Sequence, residues 1–339
     1  MTADLQSAKQ VVKSYQQTLD RCADGDVARA LQACWSENHS WRGMHPFYEQ
    51  TGAQAVAKVF WLPLRRALSA LQRREDVFMA GYNDVDKAQS VWVVSMGHLA
   101  GLFDGDFLHI PATKKMAFLR YAEFCRVEDQ TITESAFFCD LISLMHQAGH
   151  FPLPPQTGAD VIHPGPITHD GIMIEPQDPQ LTSTTIGIVN EMISDLGLLN
   201  NSGNDRCPPE TLAKTWHENM IWYGPAGIGT TYTIPRYQQQ HQYPFRTQLK
   251  DKKFNGHVAR IAEGNYAGFF GWSNLTNTPT GGFLGLPGNE IAADMRVVDI
   301  YRRENDKLVE NWVFIDLLHY LHMQGLDVLR RLKELRDID

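Results

Sequence analysis

Three segments from the first half of this chain recur, in the same order, in the second half. Trp35, Glu37, Asn38, Trp41 and Gly43 match Trp216, Glu218, Asn219, Trp222 and Gly224. Gly97, Ala100, Gly101 and Phe103 match Gly264, Ala267, Gly268 and Phe270. Phe107, Pro111, Glu123, Glu134, Asp140, His146 and Gly149 match Phe283, Pro287, Asp299, Glu310, Asp316, His322 and Gly325, all at one constant offset. A repeat of this kind means that each half must solve the same packing problem with the same order of elements. The 339 residues then divide into a first domain over 1–150, a linker over 151–180 and a second domain over 181–339. The matches also place an insertion in the second domain around Ser273–Gly281. Its turn-rich composition predicts a loop.

Hydrophobic spacing gives each half an α+β order. Leu5, Ala8, Val12, Tyr15 and Leu19 fall near helical spacing, as do Ile186, Val189, Ile193 and Leu196. A short second helix and a Trp-bearing strand follow. A third helix is expected from Gly52 to about Leu71 and from about Pro235 to Leu249, with Pro63 and Pro244 bending or interrupting it. Val77–Tyr82, Ser90–Leu102, Met116–Val127 and Thr131–Leu141 read as strands rich in β-branched and aromatic residues. Three helices followed by a long antiparallel sheet is an α+β arrangement, and a sheet curved around the helices can enclose a pocket.

With 43% apolar and 21% charged residues, both halves can bury a core. The net charge of −8 argues against nucleic-acid binding, which needs Lys and Arg to neutralise phosphates. The five cysteines show no C-x-x-C spacing. They read as free thiols of a cytoplasmic protein rather than a disulfide framework or zinc site. The N-terminus lacks a secretory apolar region. No stretch approaches the roughly 20 apolar residues of a membrane span. No phosphate-cradling loop is present, and neither a metal nor a cofactor is expected.

Each half resembles the SnoaL-like polyketide cyclases, within the cone-shaped superfamily named for nuclear transport factor 2. The resemblance rests on the Trp-bearing first strand, the helix from Gly52 through Trp61 to Arg65, and Gly97-x-x-x-Gly101-x-Phe103. It continues with Arg120-x-x-Glu123-x-x-Arg126, Arg296-x-x-Asp299-x-x-Arg302 and Trp312-x-x-x-Asp316. Ala136 replaces the Trp of the last strand in the first half. Gln147 keeps the family glutamine, and Met323 replaces it. The resemblance implies two tandem cones, each of three N-terminal helices packed on a curved antiparallel sheet. It also implies that they pair within the chain as a pseudo-dimer, with further homo-oligomers open. The family often carries a His within the Gly-x-His-x-Gly segment. Here Leu99 and Tyr266 align with it, and the adjacent His98 points to the opposite face of its strand.

Strand parity sorts the candidate acids. Asp299 shares a face with Val297 and Tyr301, and Glu123 with Leu119 and Tyr121. A carboxyl on an apolar face is held above its usual pKa, which suits a general base near neutrality. Asp299 leads, and Asp316, Glu123 and Asp140 are the other candidates. Asp316 and Asp140 also suit helix N-caps. Trp41, His98, Trp222, Tyr223, His241, Tyr266, Arg296 and Trp312 are candidates to line a ligand pocket. Two functions remain open. One is cofactor-independent proton abstraction from a hydrophobic, cyclic or carbonyl-containing small molecule, with Asp299 as base and Tyr266 holding the enolate. The other is non-catalytic ligand binding or scaffolding.

Overall fold

The computed structural model describes residues 4–202 and 206–336. It divides into two compact units. Unit one comprises Met1–Pro152, Pro164–Pro176 and Asp327–Asp339, and unit two Leu153–His163 and Gln177–Leu326. The segment over 151–180 therefore contributes to both.

In unit one, α1 (Leu5–Arg21) and α2 (Val27–Gln32) lead into β1 (Trp35–Gly43) and β2 (Tyr48–Thr51). Next come α3 (Ala53–Val56), a wide π-helical turn over Ala57–Trp61, and α4 (Leu62–Ala67). The chain continues as β3 (Leu68–Tyr82), β4 (Val91–Phe103), β5 (Met116–Glu128), β6 (Thr131–Cys139) and α5 (Leu141–Gln147). The six strands form one sheet in the order β2-β1-β6-β5-β4-β3. Ala8, Val12, Tyr15 and Leu19 of α1 are buried, as their spacing predicts, and α1 packs on β3, β4 and β5.

Unit two opens with α6 (Pro179–Asn201), α7 (Pro209–Leu212), β7 (Trp216–Tyr223) and β8 (Thr231–Tyr232). Then come α8 (Ile234–Tyr237), a π-helical turn over Gln238–Gln242, and α9 (Tyr243–Gln248). The rest is β9 (Leu249–Phe254), β10 (Ala259–Glu263), β11 (Tyr266–Pro279), β12 (Ala293–Glu304), β13 (Lys307–Ile315) and α10 (Leu317–Met323). The strand order is β10-β11-β12-β13-β7-β8, with β9 also pairing β11. A last helix, α11 (Val328–Arg336), belongs to unit one. The result is a mixed α+β fold with curled sheets. Among the described residues no helix is long and apolar enough to cross a membrane.

Both prolines expected to disturb the third helix sit two residues after the end of a π turn, at the second position of α4 and α9. Proline lacks the N–H of the regular ladder, and its ring presses on the carbonyl four residues back. A wide turn removes that clash. It also re-aims the residues it contains, Phe60 and Trp61 in unit one and His241 and Gln242 in unit two.

Four expectations change. The sheets are mixed rather than antiparallel, since β1 runs parallel to β6 and β7 parallel to β13. The helix ends at Ala67 rather than near Leu71, because β3 starts at Leu68 and pairs with Phe103 of β4. The stretch around Ser273–Gly281 is not simply a loop: β11 runs through it to Pro279, pairing β12 and β9 after a bulge between Gly271 and Leu275. Polar Asn and Thr residues are acceptable there because the ladder satisfies their backbone. The match between Gly97 and Gly264 is also out of register. Gly97 stands opposite Tyr121 in β5, and the residue opposite the corresponding Val297 in β12 is Gly271. Gly264 lies in the turn before β11.

Candidate functional site

The ladder fixes which side chains face inward. Asp299 of β12 stands opposite Phe269 of β11 and Val313 of β13. Side chains alternate along a strand, so Val297, Asp299 and Tyr301 share the inner face with Asn311, Val313 and Ile315. These six line a cavity of about 230 Å³ in unit two. Trp216 and Trp222 of β7, Tyr237, His241 and Phe245 of the broken helix, and Leu196 of α6 line it as well.

Asp299 is the acid of this cavity. Removal from water pushes its carboxyl up to about 6, against the opposing pull of hydrogen bonds from Asn311 and Tyr301. Asn311 Nδ2 donates to Asp299 Oδ1 at 3.2 Å and to the backbone oxygen of Ile300 at 3.2 Å, so the amide is anchored on β12. The hydroxyls of Tyr237 and Tyr301 lie in the field of Asp299, and burial together with that charge raises both phenols. His241 stacks on Trp222 with ring centroids 4.0 Å apart, and burial pushes its imidazole down to about 3. His257 stacks on Phe269 at 3.9 Å and is also pushed down to about 3, by burial and then by Arg260. Both imidazoles are therefore neutral near pH 7. They can exchange hydrogen bonds with a ligand without adding charge.

Trp222 is held by its neighbour. A β-carbon at Gly224 would overlap its indole, as one at Gly43 would overlap that of Trp41. Glycine two residues on lets the ring fold back over the strand, which accounts for the shared Trp-x-Gly.

Unit one treats the corresponding acid differently. Glu123 is buried, accepts a 2.9 Å hydrogen bond from the Tyr15 hydroxyl and lies 3.8 Å from Arg73, which is itself bonded to Asp20. Burial pushes the carboxyl up to about 7 despite Arg73 and Tyr15. Around it Trp61, Tyr121 and Phe137 pack ring on ring, with Tyr121 and Phe137 stacked at 5.6 Å.

Of the residues singled out from sequence, Asp299, Trp222 and His241 line the cavity. Tyr266 does not. It stands opposite Arg302, on the other face of the sheet, because the glycine match that suggested it is out of register. Tyr223 and Trp312 stack on each other at 5.5 Å, outside the cavity lining. Arg296 lies over Trp272 at 4.0 Å and 3.6 Å from Asp316. Asp316 and Asp140 accept from the backbone N–H groups of His319 and Ser143, the N-cap role, and neither lines the cavity. His98 contacts Asp76 at 3.4 Å from the outer face of β4. Trp41 packs within unit one on Phe60 at 5.6 Å.

Asn311, Tyr237 and His257 were missed. Asn311 could have been found by extending strand parity from Val313. His257 sits in an aperiodic turn and leaves no such signal.

Unit two is thus a mixed α+β unit whose curled sheet presents the half-buried Asp299 to a largely apolar cavity. Residues 205–322 match the family described as SnoaL-like polyketide cyclase. No curated protein matches the chain significantly. Solved structures similar to it include an NTF2-like protein from Burkholderia xenovorans LB400, 13% identical, covering 42% of this chain and 97% of that one with a TM-score of 0.33. Another is an NTF2-like protein from Burkholderia thailandensis E264, 18% identical, covering 44% and 99% with a TM-score of 0.32. A third is TsrD from Streptomyces laurentii, 19% identical, covering 41% and 96% with a TM-score of 0.32.

Proposed function

We propose that this chain is a tandem pair of SnoaL-like domains in which unit two binds a hydrophobic carbonyl compound and removes a proton from the carbon beside the carbonyl. Asp299 is the base. The observation that carries this reading is a half-buried carboxyl, pushed up to about 6, that faces a mostly apolar cavity and accepts a hydrogen bond from Asn311. A base poised near the operating pH combines a useful ionised fraction with enough proton affinity to react.

In the step, the proton passes from the α-carbon to an Asp299 carboxylate oxygen, and the C–H electron pair moves into the enolate with charge on oxygen. The Tyr237 hydroxyl donates a hydrogen bond to that oxygen, the part first given to Tyr266. Such a donor is worth most in a dry site. Returning the proton to another carbon isomerises the compound. Attack of the enolate carbon on a second carbonyl closes a ring in an aldol step. No cofactor is needed for either.

The test is proton exchange rather than turnover, because it requires only the first step. A cyclic ketone such as 1-tetralone is incubated with the protein in D2O, and loss of the α-proton signal is followed by NMR. The wild type accelerates exchange above buffer, and Asp299→Asn abolishes the acceleration. Equal exchange by the two proteins rules out Asp299 as the base. Binding without any exchange favours the second reading, a non-catalytic ligand carrier. The absence of His from the family position supports that second reading, since Leu99 stands there in unit one and the segment just past Gly271 supplies none in unit two.

A further inference from the structure

The broken helix recurs residue for residue between the units, and the last two strands share one register. Side chains at matching places can therefore be compared directly. Where unit one has Trp61, Tyr121 and Phe137, unit two has Gln242, Val297 and Val313. The three aromatic side chains are each buried, and Phe137 contacts the rings of both Trp61 and Tyr121. The three replacements all line the cavity. Tyr237 and Tyr301, where unit one has Val56 and Cys125, return part of that space beside Asp299. The cavity is the volume of an aromatic cluster that unit two lacks.

We propose that the ligand of unit two is a flat molecule of two fused six-membered rings, seated where the Tyr121 and Phe137 rings stack in unit one. Those rings are 5° from parallel, so the space they occupy is bounded by parallel flat faces. Size sets the ring count. An apolar cavity of about 150 Å³ holds benzene, and about 230 Å³ fits a second fused ring. The Trp222–His241 stack offers the flat wall against which such rings pack. That the ligand carries a carbonyl rests on the reading of Asp299 as base. Its ring count rests on packing alone.

The experiment measures binding to the Asp299→Asn protein, which separates it from chemistry. Cyclohexanone, 1-tetralone and the three-ring ketone anthrone are titrated while tryptophan fluorescence is followed. Tetralone binds at least about tenfold more tightly than the other two. Val313→Phe, which installs the side chain unit one carries at that place, weakens tetralone by at least about tenfold while the melting transition is kept. If that variant does not fold, Gln242→Trp, at the end of the π turn, gives the same loss. Anthrone binding as tightly as tetralone, no binding by any ketone, or unchanged tetralone affinity in a folded filled variant overturns the proposal. Tetralone binding that passes these tests, with no α-proton exchange by the wild type, leaves the ring count standing and removes only the catalytic reading.

Discussion

Asn311 Nδ2 stands 3.2 Å from Asp299 Oδ1, reaching across from β13 while its second hydrogen bond ties it to Ile300 of β12. This contact opposes the effect of burial, since a donor to a carboxylate favours the ionised form. Removing it by Asn311→Ala should raise the Asp299 pKa further. The rising limb of the exchange rate against pH then moves to higher pH, with the plateau rate changed less than the midpoint. Loss of rate at every pH with no midpoint shift would show that Asn311 acts only through packing.

The same raised pKa has a stability consequence of opposite sign. The carboxyl is protonated more readily in the folded chain than in the unfolded one. Its contribution is therefore favourable at low pH and is lost as pH rises from about 4 through about 6. Above that window the desolvated charge costs about 2.7 kcal/mol, the worth of two pKa units. Asp299→Asn should accordingly melt higher than wild type at pH 8 and no higher at pH 4. Equal melting temperatures at both values contradict this.

Glu123 is expected to behave differently. It accepts from Tyr15 and faces the buried guanidinium of Arg73. Glu123→Ala leaves that cation with Asp20 as its carboxylate partner and should destabilise unit one by about 3 kcal/mol. The exchange rate per folded molecule should stay at the wild-type value. Loss of exchange in a fully folded Glu123→Gln protein would move the chemistry to unit one.

Gly224→Ala probes the cavity wall. The new methyl displaces the Trp222 indole and with it the stacked His241. Overpacking of this kind costs about 1–3 kcal/mol, and ligand affinity should fall with it. Unchanged affinity and stability would mean that the indole has another place to go.

Much of this site was legible in the sequence, for identifiable reasons. Asp299 emerged because strands alternate faces, and parity survives without knowledge of the fold. The prolines at 63 and 244 announced a break in the helix, though not that the break is a π turn aiming His241 inward. Tyr266 was misplaced because a short glycine pattern matched in composition while the ladder paired β11 seven residues further along, next to a bulge. Register depends on partners distant in sequence, and a bulge changes it without a local sign. The cavity was hidden for a related reason. It is the joint absence of three aromatic side chains from strands and a helix that meet only in the folded unit.

The central claim is that Asp299 is a half-buried carboxyl poised to take a proton near neutral pH. Titration of protein carrying 13C at the aspartate carboxyl carbons tests it most directly. The account predicts one aspartate signal with a midpoint near pH 6, absent from Asp299→Asn, whose midpoint coincides with the rising limb of exchange. An Asp299 signal that titrates in the ordinary carboxylate range, near 4, would contradict it.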